Sequence, residues 1–347
     1  MKKYLIICAA ALALQGTPLL SQEADSGGFS ADLSVIPLLD AGGAVPMGKS
    51  ERKAYFDLGN SSLYTLFEGT LAKNLTFSVI NHWASFGLTD GAFDSSYTTD
   101  LYYNTFRTDS DTWTDCFYLR YSFGNFEIGA GKDLLFSEGM EGDEYDWDVH
   151  PYLCSSYWNM VSSNEWGATF SWTNNAANTS LALQVCTSPY GATPESGLLS
   201  YGFKWNGEYG PLRGIWTFSY LNTGNGYYPF LCLGQTFSLT EDLSLSLDYW
   251  NTSCDWEKLL QKGHSAYLGA SWAPSDKFDL LVRAGLESRV WNYGTEPHPR
   301  YMGGCALHWY PIEGLRVHLS LAANEILDGY YYAFAGITYN LNLHIGK

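Results

Sequence analysis

The sequence predicts an all-β fold: a closed transmembrane antiparallel β-barrel of about 16 strands, with short turns at one end and long loops at the other. Three observations predict it. Apolar and polar residues alternate with period two through most of the chain. The links between alternating segments are short and long in turn. Aromatic residues close successive strands at one register, just before the short links.

Composition narrows the field. The chain has 347 residues, 46% hydrophobic, 16% aromatic and only 16% charged, with 35 Gly. So aromatic a chain has ample apolar surface to bury and is not disordered. With 19 Lys+Arg against 36 Asp+Glu and a net charge of −17, nothing is basic enough to displace counterions from nucleic acid. Beyond the N-terminus no apolar run reaches the roughly 18 residues a membrane helix needs.

Residues 1–21 read as a secretory signal peptide: Lys2 and Lys3 precede the apolar stretch Leu5 to Leu14, and Ser21 is a small residue for cleavage. Removing the two lysines leaves 17 basic residues and a charge of −19. Residues 22–28 are a short polar linker, and 29–347 form the barrel. Six cysteines remain (Cys116, Cys154, Cys186, Cys232, Cys254 and Cys305). They are too dispersed for a zinc site or a disulfide framework and read as small wall residues.

The alternation gives strands at 30–38, 61–71, 75–86, 113–123, 126–132, 164–172, 179–188, 197–205, 212–221, 230–239, 243–254, 263–272, 277–288, 300–309, 314–322 and 330–345. Leu243, Leu245, Leu247 and Tyr249 share one face; Ser244, Ser246 and Asp248 share the other. Leu315, Val317, Leu319 and Leu321 alternate with Arg316, His318 and Ser320. Pro37 fits poorly inside a ladder and makes the first strand the weakest assignment. Phe123, Trp172, Trp205, Trp272 and Trp309 each sit on the apolar parity just before a short link. An aromatic girdle at a membrane interface has this form, because a tryptophan ring accommodates both its apolar body and its N–H there. Closure is then required, since an open edge in lipid leaves backbone groups unpaired. Sixteen strands enclose an aqueous lumen.

FDLGNSSLYTLFEG (Phe56 to Gly69) and FEIGAGKDLLFSEGMEGDEYD (Phe126 to Asp146) carry a family resemblance. The chain resembles the outer-membrane porins of Gram-negative bacteria, most closely the phosphate-selective O/P-type group, in which a strand likewise ends in a Gly-Lys step and opens into a Gly- and Glu-bearing loop. It departs in ending HIGK, without a terminal aromatic, and in its scarce lysine. The resemblance implies an outer-membrane location, periplasmic short turns, extracellular long loops, contact with outer-membrane lipid, passage of small hydrophilic solutes or ions, and a homotrimer. No cofactor, metal or catalytic residue is expected.

The longest link, 133–163, is the third long loop. It carries Asp133, Glu138, Glu141, Asp143, Glu144, Asp146 and Asp148 and no Lys or Arg. In general porins the third loop folds inward and narrows the channel, so these are the constriction candidates. Two placements stay open: a solvated loop at the cell surface, or a loop in the bore whose carboxylates draw cations. Arg120 and Arg283 lie on the polar parity and are the basic candidates to face it. Asp143, Asp146 and Asp148 lack the glycine and terminal glutamate of a helical calcium loop. The second long link, 87–112, reads as a solvated loop. Arg213, Lys204 and Arg316 are expected to pair across strands with neighbouring carboxylates. His82, His308, His318 and His344 look scattered. The leading function is a passive channel that leans towards cations through the acidic third loop. The alternatives are an adhesion or binding barrel with an occluded lumen, suggested by tyrosine-rich loops, and a barrel lipase or protease, for which no GxSxG is present.

Overall fold

The structure is a computed structural model. It describes residues 29–48, 53–58, 61–85, 113–146, 149–155, 157, 164–190, 197–252, 260, 263–288, 299–326 and 329–346. The signal peptide, the linker at 22–28, the loop at 87–112, Asp148 and Cys254 lie outside these.

The strands are β1 (Ser30–Pro46), a stub β2 (Tyr55–Asp57), β3 (Ser62–Ala72), β4 (Leu75–Ser85), β5 (Trp113–Phe123), β6 (Phe126–Leu134), β7 (Asn164–Thr173), β8 (Thr179–Thr187) and β9 (Leu199–Tyr209). They continue as β10 (Leu212–Asn222), β11 (Tyr227–Ser238), β12 (Leu243–Thr252), β13 (His264–Ser275), β14 (Phe278–Ser288), β15 (Arg300–Ile312), β16 (Leu315–Asn324), β17 (Tyr330–Tyr339) and β18 (Leu341–Gly346). Each of β4 to β16 pairs antiparallel with its chain neighbours. β1 closes the ring between β3 on one side and β17 with β18 on the other. β17 and β18 form one stave broken at Asn340, and β2 is a stub beside β1, so the barrel has 16 staves.

The sheet explains the proline in its first strand. β1 pairs with β18 through Val35↔Leu341 and with β17 from Leu38↔Thr338. Pro37, opposite Tyr339 by the same register, therefore falls in the gap between these two pairings. On the other side of that stave the Asn340 N–H donates to the Gly314 carbonyl, 2.8 Å away. β1 also runs on to Pro46, well past the expected end at 38.

The period-two pattern sorts the faces. Leu247, Leu319, Leu321, Ile337 and Leu343 are exposed on the outside. Phe123, Trp272 and Trp309 are exposed there too, close to the short turns, while Trp172 and Trp205 are half-buried among outward neighbours. Trp205 lies 4.6 Å from Trp216, and Phe126 bridges Phe123 and Phe170 at 5.8 and 5.6 Å.

The inner face is less uniformly polar than alternation implies. Phe230, Trp250, Tyr267, Tyr332 and Phe334 all point inward and are buried. They form a hydrophobic core inside the barrel with Leu135, Tyr145, Tyr152, Leu153 and Tyr157 of the segment that follows β6. Burial of these rings is what draws that segment off the rim and into the bore.

Candidate functional site

The segment from Leu135 onward is the site. Its first bonds are set at the end of β6. Asp133 accepts from the Leu134 N–H at 2.9 Å. Gln184 of β8 accepts from Phe136 N and donates to the Leu134 carbonyl, both at 2.9 Å. From there the segment follows the inner wall, meeting the strands nearly in their order. Ser219 of β10 donates to the Phe136 carbonyl, and Thr217 to that of Glu138 at 2.9 Å. Lys204 of β9 pairs with Glu138 at 2.7 Å.

A single helical turn, α1 (Glu141–Glu144), comes next. Its first N–H groups are satisfied by one carboxylate, Asp248 of β12, which accepts from Met140 N at 2.7 Å and Glu141 N at 2.9 Å. An acceptor placed there meets both the unpaired donors and the positive end of the turn. Gly139 is required by this approach: a Cβ on it would lie 2.3 Å from Asp248 Oδ1 and 2.5 Å from Cys232 Sγ.

Arg283 of β14 is the central bolt. One Nη donates to Glu141, whose other oxygen accepts from Ser155 N and Oγ at 2.9 and 2.8 Å. The second Nη donates to the Leu153 carbonyl at 3.0 Å. Asp248 lies 3.6 Å off, and the guanidinium is stacked between the rings of Tyr145 and Tyr267, at 4.4 and 4.7 Å. Arg213 of β10 binds Asp143, and Thr236 of β11 donates to Glu144. Arg316 of β16 binds Asp146 at 2.6 Å. A 3-10 turn at Pro151–Leu153 then lays Tyr152 flat on Tyr332 of β17, centroids 3.8 Å apart, and Asn324 holds its carbonyl at 2.8 Å. Tyr157 comes back to Ser265 of β13 at 2.8 Å.

Burial dominates the electrostatics. It pushes the Glu144 carboxyl up to about 7, with Thr236 opposing, and raises Glu138 and Glu141 against the pull of Lys204 and Arg283. Asp146 is also driven up by burial, but Arg316 outweighs this and holds it low. His150 is held well below the ordinary imidazole range by burial, then by its electrostatic neighbours His308, Arg316 and His318.

The structure thus brings together Glu138, Glu141, Asp143, Glu144, Asp146 and Arg283. Arg120 stands apart, bound to Asp133 at 2.9 Å and near Glu127. Two expectations need correcting. Lys204, Arg213 and Arg316 pair with carboxylates of the inserted segment. Of the two placements left open for that segment, the described residues take the one inside the bore, where their aromatic side chains are buried. His308 and His318 are not scattered: they face each other across β15 and β16, and His150 joins them, its Nε2 on His308 Nε2. Asp279 holds His308 Nδ1 and Asp40 holds His318. Asp248 was missed as a site residue. Its signal is visible in the sequence: it is a charge on the inward parity of a mid-barrel strand.

This geometry defines a closed 16-stave antiparallel barrel of the porin type, with an inserted loop. No family model matches the chain, and no curated protein matches it. Solved structures do. A porin of Rh. blastica carrying three substitutions superposes with a TM-score of 0.60 at 12% identity, covering 90% of this chain and all of that one. OmpF of Salmonella typhi, solved in complex with daunomycin, gives 0.61 at 11% identity, covering 90% of this chain and 97% of that one. A second Rh. blastica porin variant gives 0.58 at 11%, covering 91% and 99%. These neighbours share the fold and are general porins, not members of the phosphate-selective group.

Proposed function

We propose that the protein is an outer-membrane porin: a passive aqueous channel for small hydrophilic solutes, narrowed by residues 135–157 and leaning towards cations. One observation carries the reading. A long segment leaves the barrel rim, enters the bore and is bolted to strands β8 to β17, which supports a bore narrowed by a fixed loop. The exposed apolar outer face with its aromatic belt supports lipid contact, and the porin-type fold supports the outer membrane as its location. A homotrimer is the assembly the resemblance implies, and cross-linking in mild detergent tests it. Phosphate has little support as the solute: Lys204, the inward lysine of the described strands, is bonded to Glu138.

The test is single-channel recording in planar lipid bilayers. Discrete, ohmic openings in KCl are expected. A folded, membrane-inserted protein that never conducts would refute the channel and leave the occluded binding barrel as the better account.

A further inference from the structure

The outer face of the staves is mainly apolar, and one lysine interrupts it. On β6 the exposed Phe126, Ile128 and Ala130 set the outward parity, while buried Gly129 and Asp133, bound to Arg120, set the inward one. Lys132 falls on the outward parity, and among the described strand residues it is the one Lys or Arg that does. Its direct partners across the sheet are Phe117 of β5 and Trp166 of β7, 50% and 46% exposed, with ring centroids 6.4 Å apart.

The neighbours fix its depth. Trp83, Trp166, Tyr201, Tyr227, Tyr301 and Tyr331 are exposed near the long-loop ends of their strands, a second aromatic belt that marks the headgroup level there. Lys132 stands in that belt. Its ammonium reaches towards the rim and donates to the Thr114 carbonyl at 2.5 Å, as a base does when its stem lies in the apolar layer and its head at the interface. A polar lane continues across β5, β4 and β3: Thr114 donates to Asn81 at 2.7 Å, and Trp83 to Thr65 at 2.9 Å.

The charge has no protein counterpart. Arg120, Lys204, Arg213, Arg283 and Arg316 face inward, and each binds a carboxylate. Lys132 makes no ion pair among the described residues. The carboxylates near it are engaged: Asp133 by Arg120 at 2.9 Å, Asp115 by His82 at 2.8 Å, and Glu165 by the Thr187 hydroxyl. The outward parity of β6 to β18 carries no Asp or Glu, so a second copy packed on this wall would bring no counter-charge from those staves. An ammonium with donors to spare, at headgroup level and between two aromatic rings, complements a lipid phosphate.

We propose that Lys132, between Phe117 and Trp166, seats the phosphate of an anionic lipid in the leaflet at the long-loop rim. The seat requires the barrel to stand in a membrane, as read above, but does not require the channel to conduct.

The test is native mass spectrometry of the folded full chain, released from detergent micelles doped with phosphatidylglycerol or, in a parallel arm, with phosphatidylcholine, whose choline offsets its phosphate. The parent should retain phosphatidylglycerol preferentially. Lys132→Met should weaken the apparent affinity for the first bound phosphatidylglycerol about fivefold, the effect of one basic group at an anionic lipid surface. Lys132→Arg should keep it, and so should Lys73→Met at the opposite rim. Equal retention of the two lipids by the parent overturns the proposal. So does a Lys132→Met chain that holds phosphatidylglycerol as tightly as the parent; if its cross-linked oligomers are lost at the same time, the lysine serves contact between copies. A parent that stays monodisperse without detergent overturns the membrane placement itself, and this inference with it. A parent that retains the lipid yet never conducts refutes the channel alone and upholds the seat.

Discussion

The wall from β8 to β17 and the wall from β3 to β7 use the same residue types for different ends. On the first, Lys204, Arg283 and Arg316 are buried against Glu138, Glu141 and Asp146 of the inserted segment, beside the core that Tyr145, Tyr152 and Tyr157 help to form. On the second, Glu68, Glu127, Arg120 and Ser122 keep access to water. An acidic residue inside a barrel is thus a fastener where desolvation is complete and a field source where it is not. Burial, more than sequence charge, decides which.

Removing the central bolt should break the contrast outright. Arg283→Met leaves Glu141 and Asp248 buried beside each other without a cation, a cost of about 3–5 kcal/mol for one half of a buried pair. The inserted segment should detach. Single-channel conductance should rise, with flickering, and limited proteolysis should cut near residues 138–146. Unchanged conductance and an uncut segment would show that the aromatic contacts alone hold it.

Glu144→Gln should have the opposite sign. A carboxyl whose pKa rises from 4.5 to about 7 resists ionising in place. The docked segment then binds a proton that the released one gives up, so docking weakens as pH rises from 4.5 to 7. The amide removes that penalty, which at about 1.4 kcal/mol per unit comes to about 3–4 kcal/mol at pH 8. The melting temperature in detergent should rise at pH 8 and stay nearly level at pH 4.5. Equal shifts at both would assign the gain to packing.

His150 contributes a slope of the other sign. Its depressed pKa means that the docked state rejects a proton which the released state takes up below about 6.5. Docking strength is therefore retained above that pH and falls about tenfold per pH unit below it. Because Glu144 opposes this slope, the parent should look nearly flat between pH 5 and 6.5. The acid release should emerge in Glu144→Gln, read as conductance against pH. Replacing His150 by Phe in that background should flatten the curve again.

The outer face offers the smallest effect. Trp272→Ala removes one exposed ring of the belt and should cost about 1 kcal/mol. Brominated-lipid quenching of tryptophan fluorescence should fall in proportion to the lost residue. No change in quenching would place that ring away from lipid.

The staves were legible because a half-buried strand writes its environment into every second residue: Leu243 to Tyr249 and Leu315 to Leu321 each state which side is which. Strand ends were less so. β9, β13 and β15 run on to Tyr209, Ser275 and Ile312, since polar turn residues join a ladder once its neighbour extends. The interior was harder still. That Arg283 meets Glu141 across 142 positions, or that His150 meets His308 across 158, follows from no period, because such contacts depend on where a loop lands. The inward Trp250, Tyr332 and Phe334 on faces expected to be wet were the available hint that something would cover them.

The joint at Pro37 and Asn340 bears on how the molecule is assembled. Ser30 meets Gly346 in register, so the cylinder is sealed by segments more than 300 positions apart, among the last contacts a growing chain can make. The missing ladder bonds split that seal into two zippers, one to β18 and one to β17. Each half can close without waiting for the other. A nascent sheet can in this way be tacked shut along its upper half while the remaining edge is still finding its register.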